Sequence, residues 1–369
     1  MKLTIAKDQF IVGLQAVQNI VGARTTLPIL SNVLLRAADD KLDLTATDLD
    51  VTITCAVPAA VGKAGATTLP VKKLFSIIRE LGSPEIEIEV DDKNVTSIRS
   101  GASFFKINGL AADEFPPLPQ LSDKRKLLMP QEKFRGMLRR TAFAVSADET
   151  RYVLNGIFFS LRDHKLTLVA TDGRRLALTD EEVEIGADSQ GEFIVPSKAI
   201  NELSRLVQDK GEVQLTFSDN QASMKLSDEK GFSVLLVTKL VEGAYPNYRQ
   251  VIPAESAERV PLMREEFLQA LRRAELMTSD KANSVKLAFT RNNLAITSNT
   301  PEVGEAREAL AVNYKGKDVA IAFNPSFLVD ALRALDQDEV FFELTDELSP
   351  GVLKINGPFL YVIMPMRMN

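Results

Sequence analysis

Apolar residues recur at helical spacing in three stretches, 8–17, 131–140 and 265–273. Phe10, Phe134 and Phe267 begin the stripe, continued by Leu14 and Val17, by Met137 and Leu138, and by Ala270 and Leu271, so each predicted helix has one face for a core. After each helix the period changes to two. Strand pairs are predicted at 32–38 with 41–47, 155–161 with 165–171, and 284–290 with 293–298, rich in Val, Ile, Leu and Thr. The polar turns Asp39-Asp40, Arg162-Asp-His164 and Arg291-Asn292 make these hairpins, which implies antiparallel sheet.

A strand and a second helix follow each hairpin: 66–70 into 71–81, 192–196 into 197–207, and 319–323 into 324–335. Pro70, Pro196 and Pro325 stand at helix starts, where a fixed φ and a missing N–H do no harm, and Ser197 and Asn324 are candidate caps. A closing hairpin is predicted for each unit: 85–90 with 95–110, 213–217 with 221–239, and 339–344 with 351–365. The order helix, strands, helix, strands therefore occurs three times. Leu44-Thr-Ala-Thr-Asp-Leu-Asp50, Val169-Ala-Thr-Asp-Gly-Arg-Arg-Leu176 and Leu294-Ala-Ile-Thr-Ser-Asn299 mark equivalent points, with Thr47, Thr171 and Thr297 separated by 124 and 126 positions. That period suits whole domains rather than solenoid repeats. Proline-bearing linkers, Glu114-Phe-Pro-Pro-Leu-Pro-Gln120 and Tyr245-Pro-Asn-Tyr-Arg-Gln-Val-Ile-Pro253, separate the units. The expected fold is α+β, with domains at 1–122, 123–253 and 254–369, each with two helices on antiparallel sheet.

Composition narrows the chemistry. The 369 residues are 45% apolar and 25% charged, no apolar run approaches the ~20 residues of a membrane span, and the opening Met1-Lys-Leu-Thr-Ile-Ala-Lys-Asp8 has no signal-peptide pattern; a cytoplasmic protein without membrane contact is expected. Cys55, the only cysteine, alternates with Val51, Ile53 and Val57 as a buried strand residue would, and His164, the only histidine, belongs to a polar turn. There is no Gly-rich phosphate loop and no metal-ligand spacing, so no catalytic residue, metal or cofactor is assigned. A hydrolase would have to use Asp48, Asp50 or Asp172, and an Asp at a strand end before a turn usually caps free N–H groups.

Net charge is −6, with 12 basic against 14 acidic residues in the first domain, 19 against 19 in the second and 13 against 17 in the third. A globally basic nucleic-acid binder is excluded, but a local track is not. Lys72 and Lys73, Arg135, Arg139 and Arg140, Lys198 and Arg205, and Arg272 and Arg273 recur beside the apolar stripes of the helices. On one shared surface they would hold phosphates without reading bases. A structural oligomer with no DNA role would not need them.

Across essentially its whole length the chain resembles the bacterial sliding clamps, the beta subunits of DNA polymerase III. Arg24-Thr-Thr-Leu-Pro-Ile-Leu-Ser-Asn32, Leu44-Thr-Ala-Thr-Asp48, Arg151-Tyr-Val-Leu-Asn-Gly156, Ala170-Thr-Asp-Gly-Arg-Arg-Leu176, Tyr245-Pro-Asn-Tyr248 and Tyr361-Val-Ile-Met-Pro-Met-Arg367 carry the likeness. The resemblance implies the DNA-clamp fold closed as a head-to-tail homodimeric ring, a processivity factor that encircles double-stranded DNA without sequence preference. It also implies docking of the DNA polymerase III core, the clamp loader complex, other DNA polymerases and mismatch-repair or ligase proteins through linear peptide motifs.

By position it assigns Arg24, Lys72, Tyr152 and Val153 to DNA; Lys72 and Val153 stand where other members have Arg and Tyr. It assigns a peptide pocket to Leu154, Thr171, Gly173, Arg174, Arg175 and Leu176, to Pro246 and Val251, and to Asn324, Phe327, Leu348 and Pro350. Val362, Met364, Pro365, Met366 and Arg367 complete it; Pro365 cannot donate in a central sheet, which favours an edge or exposed end. For the ring interface it points to Phe105, Leu276 and Met277, with basic Lys73, Arg99 and Lys106 expected to face acidic Glu302, Glu305 and Glu308 of a second copy.

Overall fold

The computed structural model describes residues 1–22, 27–119, 121, 125–186, 189–228, 231–254, 256–279 and 283–367. In the first repeat the order is β1 (Lys2–Ala6), α1 (Lys7–Val17), β2 (Asn32–Ala38), β3 (Lys41–Thr47), β4 (Val51–Pro58), β5 (Ala60–Lys63) and β6 (Gly65–Pro70). It continues with α2 (Val71–Glu80), β7 (Glu85–Val90), β8 (Val95–Ser100) and β9 (Ser103–Asn108). The second repeat runs β10 (Lys126–Pro130), α3 (Gln131–Thr141), β11 (Gly156–Arg162), β12 (Lys165–Thr171), β13 (Arg175–Glu182) and β14 (Gly191–Pro196). Then come α4 (Ser197–Leu206), β15 (Glu212–Phe217), β16 (Gln221–Ser227) and β17 (Ser233–Lys239). The third has β18 (Glu258–Met263), α5 (Arg264–Glu275), β19 (Val285–Thr290), β20 (Asn293–Thr300), β21 (Gly304–Ala311) and β22 (Val319–Phe323). It ends with α6 (Pro325–Arg333), β23 (Glu339–Leu344), β24 (Gly351–Lys354) and β25 (Phe359–Ile363).

The predicted helix faces are the buried ones: Phe10, Leu14 and Val17 on α1, Phe134, Met137 and Leu138 on α3, and Phe267, Ala270 and Leu271 on α5. Asp39 and Asp40 (φ 49° and 56°) and Asp163 and His164 (φ 50° and 58°) take the left-handed turn conformation that closes two-residue hairpins, and His164 is exposed. Cys55 is fully buried in β4, and burial pushes its thiol up to about 12.

Two expectations are corrected. Each closing hairpin is a three-stranded meander, because the spans read as single strands, 95–110, 221–239 and 351–365, break at internal turns. One turn holds Gly101 at φ 55°, and in another the Asp228 carboxylate accepts the Phe232 amide at 2.9 Å. Each repeat also has a strand before its first helix (β1, β10, β18) that the periodicity did not separate from the helix.

Two compact units form, one from 1–135, 184–190 and 198–240, the other from 136–183, 191–197 and 241–369. The first holds a five-stranded sheet, β5-β1-β7-β8-β9, and an eight-stranded one, β10-β15-β16-β17-β4-β3-β2-β6. The second holds β14-β11-β12-β13-β25-β24-β23-β18 and a four-stranded sheet, β21-β20-β19-β22. Each eight-stranded sheet takes half its strands from one repeat and half from the next. The seams are antiparallel ladders, Val51↔Thr238 to Ala56↔Ser233 between β4 and β17, and Arg175↔Ile363 to Thr179↔Phe359 between β13 and β25. Successive repeats are thus joined by backbone hydrogen bonds.

Candidate functional site

In the second unit, β12 ends in a turn built by its own side chains. Thr171 Oγ1 accepts the Gly173 amide at 3.1 Å and donates to the Arg175 carbonyl at 2.6 Å, while Asp172 Oδ1 accepts from Arg174 N (2.9 Å) and Arg175 N (3.1 Å). Asp172 is therefore a structural cap, as its position predicts. Gly173 sits at φ +85°, and a Cβ there would lie 2.7 Å from Arg151 Nη1. Arg151 in turn donates from Nη1 to the Asp172 carbonyl at 2.8 Å and from Nε to Asp148 at 3.0 Å.

The turn aims Arg175 inward, where its side chain is 10% exposed. Nε reaches Asp172 Oδ2 at 3.0 Å, Nη1 reaches Asp330 Oδ2 at 2.8 Å, Nη2 donates to the Phe143 carbonyl at 2.6 Å, and the guanidinium carbon lies 4.4 Å from the Phe327 ring centroid. Burial opposes this charge, but Tyr361, Asp330 and Asp172 outweigh it and hold the guanidinium above its ordinary pKa. Tyr361 donates to the Phe327 carbonyl at 2.9 Å, and its own burial raises its pKa. Asp330, Phe143, Tyr361 and Arg151 hold the site together and were not assigned from sequence; Arg175 and Asp330 are 155 positions apart, and nothing local announces that contact.

Beside this cluster the β13/β25 ladder brings Leu176 opposite Val362, both buried with Phe158, Val169 and Ile194. Tyr245 and Tyr248 pack on Phe158, with centroids at 4.9 and 6.0 Å, which fixes the linker carrying Pro246 and Val251. Met364 N donates to the Arg174 carbonyl at 2.9 Å and Met366 N to the Ala322 carbonyl at 2.7 Å, so Pro365 lies beyond the end of β25, between two donors. Asn324 caps α6 by accepting the Ser326 amide at 3.0 Å, one turn from Phe327. Leu348 and Pro350 precede β24, the ladder neighbour of β25, and Leu154 is buried at the end of a 3-10 turn. Several large apolar side chains stay open here: Leu348 is 81% exposed, Val251 47%, Met364 44% and Met366 39%, with Arg174 and Arg367 also exposed. Such a surface of Met, Leu and Val with fixed backbone and Arg groups suits extended apolar ligands.

The basic candidates divide. Lys72 and Lys73 are exposed in the first turn of α2, where a helix dipole disfavours cations, and Tyr152 is 58% exposed. Arg135 is ion-paired with Asp209, Arg139 with Asp336 and Lys198 with Asp48. Arg205 is committed elsewhere: it donates to the Gln15 (2.9 Å) and Ala16 (2.8 Å) carbonyls at the C-terminus of α1 and pairs with Glu202. Arg24 lies outside the described residues.

The interface candidates fall on or near two sheet edges, β9 and β21. On β9, Phe104 and Phe105 are 51% and 38% exposed, and Arg99 and Lys106 lie 5.4 and 6.0 Å from the Phe104 centroid. On and before β21, Glu302 and Glu305 are exposed; just after α5, Leu276 is 74% exposed and Met277 is half-buried, with its sulfur beside Gly304 at the start of β21. Glu308 instead accepts two bonds from Arg273 of its own chain, at 2.9 and 2.6 Å.

Sequence models of the DNA polymerase III beta subunit match the chain in three places: the N-terminal domain at residues 1–119, the central domain at 128–247 and the C-terminal domain at 249–367. The beta sliding clamp of Chlamydia muridarum is 36% identical over 369 residues, covering 100% of both chains. Among solved structures, the DnaN sliding clamp of Bartonella birtlesii bound to griselimycin superposes with a TM-score of 0.94 at 35% identity. That of Pseudomonas aeruginosa bound to griselimycin gives 0.94 at 32%, and in both cases each chain is covered in full.

Proposed function

The chain belongs to the DNA polymerase III beta subunit family, and on that premise we propose which of its surfaces act in a sliding clamp. It is a non-catalytic processivity factor: it encircles duplex DNA for the replicative polymerase and docks partner proteins through an apolar peptide surface. The observation that carries this is the match of all three clamp domains, in order, along one chain. Our domains are 1–122, 123–253 and 254–369, and two copies join head to tail.

Mechanically, enclosure replaces affinity. A net charge of −6 repels DNA from the outside, while Lys72, Lys73, Arg135, Arg139 and Lys198, with Arg24 and Tyr152, supply weak, sequence-independent phosphate contacts inside. Weak contacts permit sliding, and a polymerase tethered to the ring rebinds the primer end at high effective concentration. The carboxylate partners of Arg135 and Arg139 favour this reading, since an exposed ion pair exchanges readily and keeps phosphate contacts transient, whereas Lys198 is held more firmly by the largely buried Asp48. Partner peptides lie along Met364 and Met366, against Leu348 and Val251, with buried Val362 packed under that surface and Arg175 bracing Phe327. Among the described residues no helix is long and apolar enough to cross a membrane.

The test is topological. Labelled protein is loaded with a clamp loader and ATP onto nicked circular DNA, the complex is isolated, and the DNA is cut. Release on cutting with retention on the intact circle is the expected result; equal retention on both would replace enclosure by ordinary affinity.

A further inference from the structure

The turn beneath the candidate peptide surface is built twice. In the first unit Asp48 Oδ1 accepts from the amides of Asp50 (3.1 Å) and Val51 (2.8 Å), as Asp172 does from Arg174 and Arg175. Thr47 Oγ1 accepts the Leu49 amide and donates to the Val51 carbonyl, both at 3.1 Å, as Thr171 does with Gly173 and Arg175. Lys239 N donates to the Asp50 carbonyl at 2.9 Å, and Met364 N to the Arg174 carbonyl at the same distance. A proline-bearing linker flanks each turn, Pro116-Pro-Leu-Pro119 in one case and Tyr245-Pro-Asn-Tyr248 in the other.

The frame is common and the side chains differ. Leu49 stands for Gly173, Asp50 for Arg174 and Lys239 for Met364. In the first unit the result is a cleft of about 410 Å³ between the β4/β17 seam and the linker, with Leu49 and Leu118 (46% and 38% exposed) and Val237 among its apolar lining. The volume falls within the ~300–1,000 Å³ of sites that hold small groups. Proline at three of the four linker positions leaves that wall with carbonyl acceptors and few donors, which matches the N–H groups of an extended chain. Leu49 holds φ +80°, a conformation that leucine rarely adopts and that packing does not explain, since the side chain is half exposed. At the rim Lys239 and Asp50 pair at 2.9 Å while both stay mostly exposed, so the ammonium can exchange carboxylates.

We propose that this cleft is a second docking site for an extended peptide, taking one aliphatic side chain between Leu49 and Leu118 and an adjacent carboxylate at Lys239. The inference rests on reading the β13/β25 surface as the first such site, because the shared frame is what identifies the cleft. With Leu49 narrowing the cleft and Lys239 at its rim, the site takes a short anchor and prefers acidic flanks.

The probe is acetyl-Asp-Leu-Leu-Asp-amide, titrated into the full chain carrying 13C-labelled Leu and Val methyl groups and followed by methyl NMR. Saturable shifts at Leu49, Leu118 and Val237 are expected. They should persist in a Met364→Asp variant and weaken at least tenfold both in Lys239→Glu and with acetyl-Asn-Leu-Leu-Asn-amide. Silence of Leu49 and Leu118 overturns the proposal whatever else moves, and so do shifts that Lys239→Glu leaves unchanged. Leu348 and Val362 report separately on the β13/β25 surface: their response without Leu49 sinks the cleft alone, while the reverse supports the cleft and counts against the first site.

Discussion

Leu49 and Gly173 occupy the same turn position 124 residues apart, at φ +80° and +85°. One is a residue for which the left-handed region is natural and the other is not. Placing a non-glycine residue there costs about 1–2 kcal/mol, and glycine's extra freedom in the unfolded chain returns about 0.5–1 kcal/mol of that. Leu49→Gly should therefore be neutral to mildly stabilising, raising Tm by about 1–2 °C. Gly173→Leu should lower it, with the added Cβ pressing on Arg151. Scanning calorimetry of the pair checks the sign, and a Tm loss in Leu49→Gly as large as that in Gly173→Leu would show that the Leu49 side chain is needed where it stands.

That contrast also marks how far the sequence could be read. Regular alternation placed β2, β3, β12 and β22 to the residue, and the Phe10, Phe134 and Phe267 stripes marked the buried helix faces, because both signals are local. The Thr-Asp-Gly turn at 171–173 was visible from its residue types, whereas Leu49 gave no turn signal although it makes the same turn. Arg205 looked like one more cation on a helix face. Its partners, the carbonyls of Gln15 and Ala16, are about 190 positions away, and no pattern in the sequence connects them. Of the candidate peptide site, the paired strands and the Met-Pro-Met tail were legible; the hub formed by Arg175, Asp330 and the Phe143 carbonyl was not.

Arg175 should be the least replaceable residue of that site. Its guanidinium serves two carboxylates, a carbonyl and the Phe327 face together, and an ammonium cannot reproduce that fork. Arg175→Met leaves Asp172 and Asp330 without their buried partner and should destabilise the second unit by about 3 kcal/mol. Arg175→Lys should recover less than half of this in urea titration. Full recovery would mean that a point charge suffices and that the stacking on Phe327 contributes little.

Acid should act on the first unit through Asp48. Burial opposes its carboxylate, but the Lys198 ammonium and the amides of Val51 and Asp50 outweigh it and hold the group below its ordinary 3.8. A folded pKa below the unfolded one adds stability that is complete above about 3.8 and is lost as pH falls through the lower folded value. Lys198→Gln should thus have a lower urea midpoint than the parent at pH 7, and the gap should narrow between pH 4 and pH 2. A gap that stays constant over that range would detach Asp48 from Lys198.

The ring interface can be tested by charge exchange. β9 and β21 are unpaired sheet edges of opposite character, one with Arg99 and Lys106 around exposed Phe104 and Phe105, the other with Glu302 and Glu305. An exposed edge invites another strand, and complementary charge selects which one, so we expect a head-to-tail dimer to join β9 of one copy to β21 of its partner. Reversing Glu302 and Glu305 to Lys should weaken association at least tenfold in sedimentation, and adding Arg99→Glu and Lys106→Glu should restore much of it. Glu308 belongs outside that exchange, because Arg273 of its own chain already holds it. Glu308→Lys should therefore not be rescued by changes on β9. A dimer mass that stays unchanged at nanomolar concentration after reversal of Glu302 and Glu305 would take both residues out of the interface.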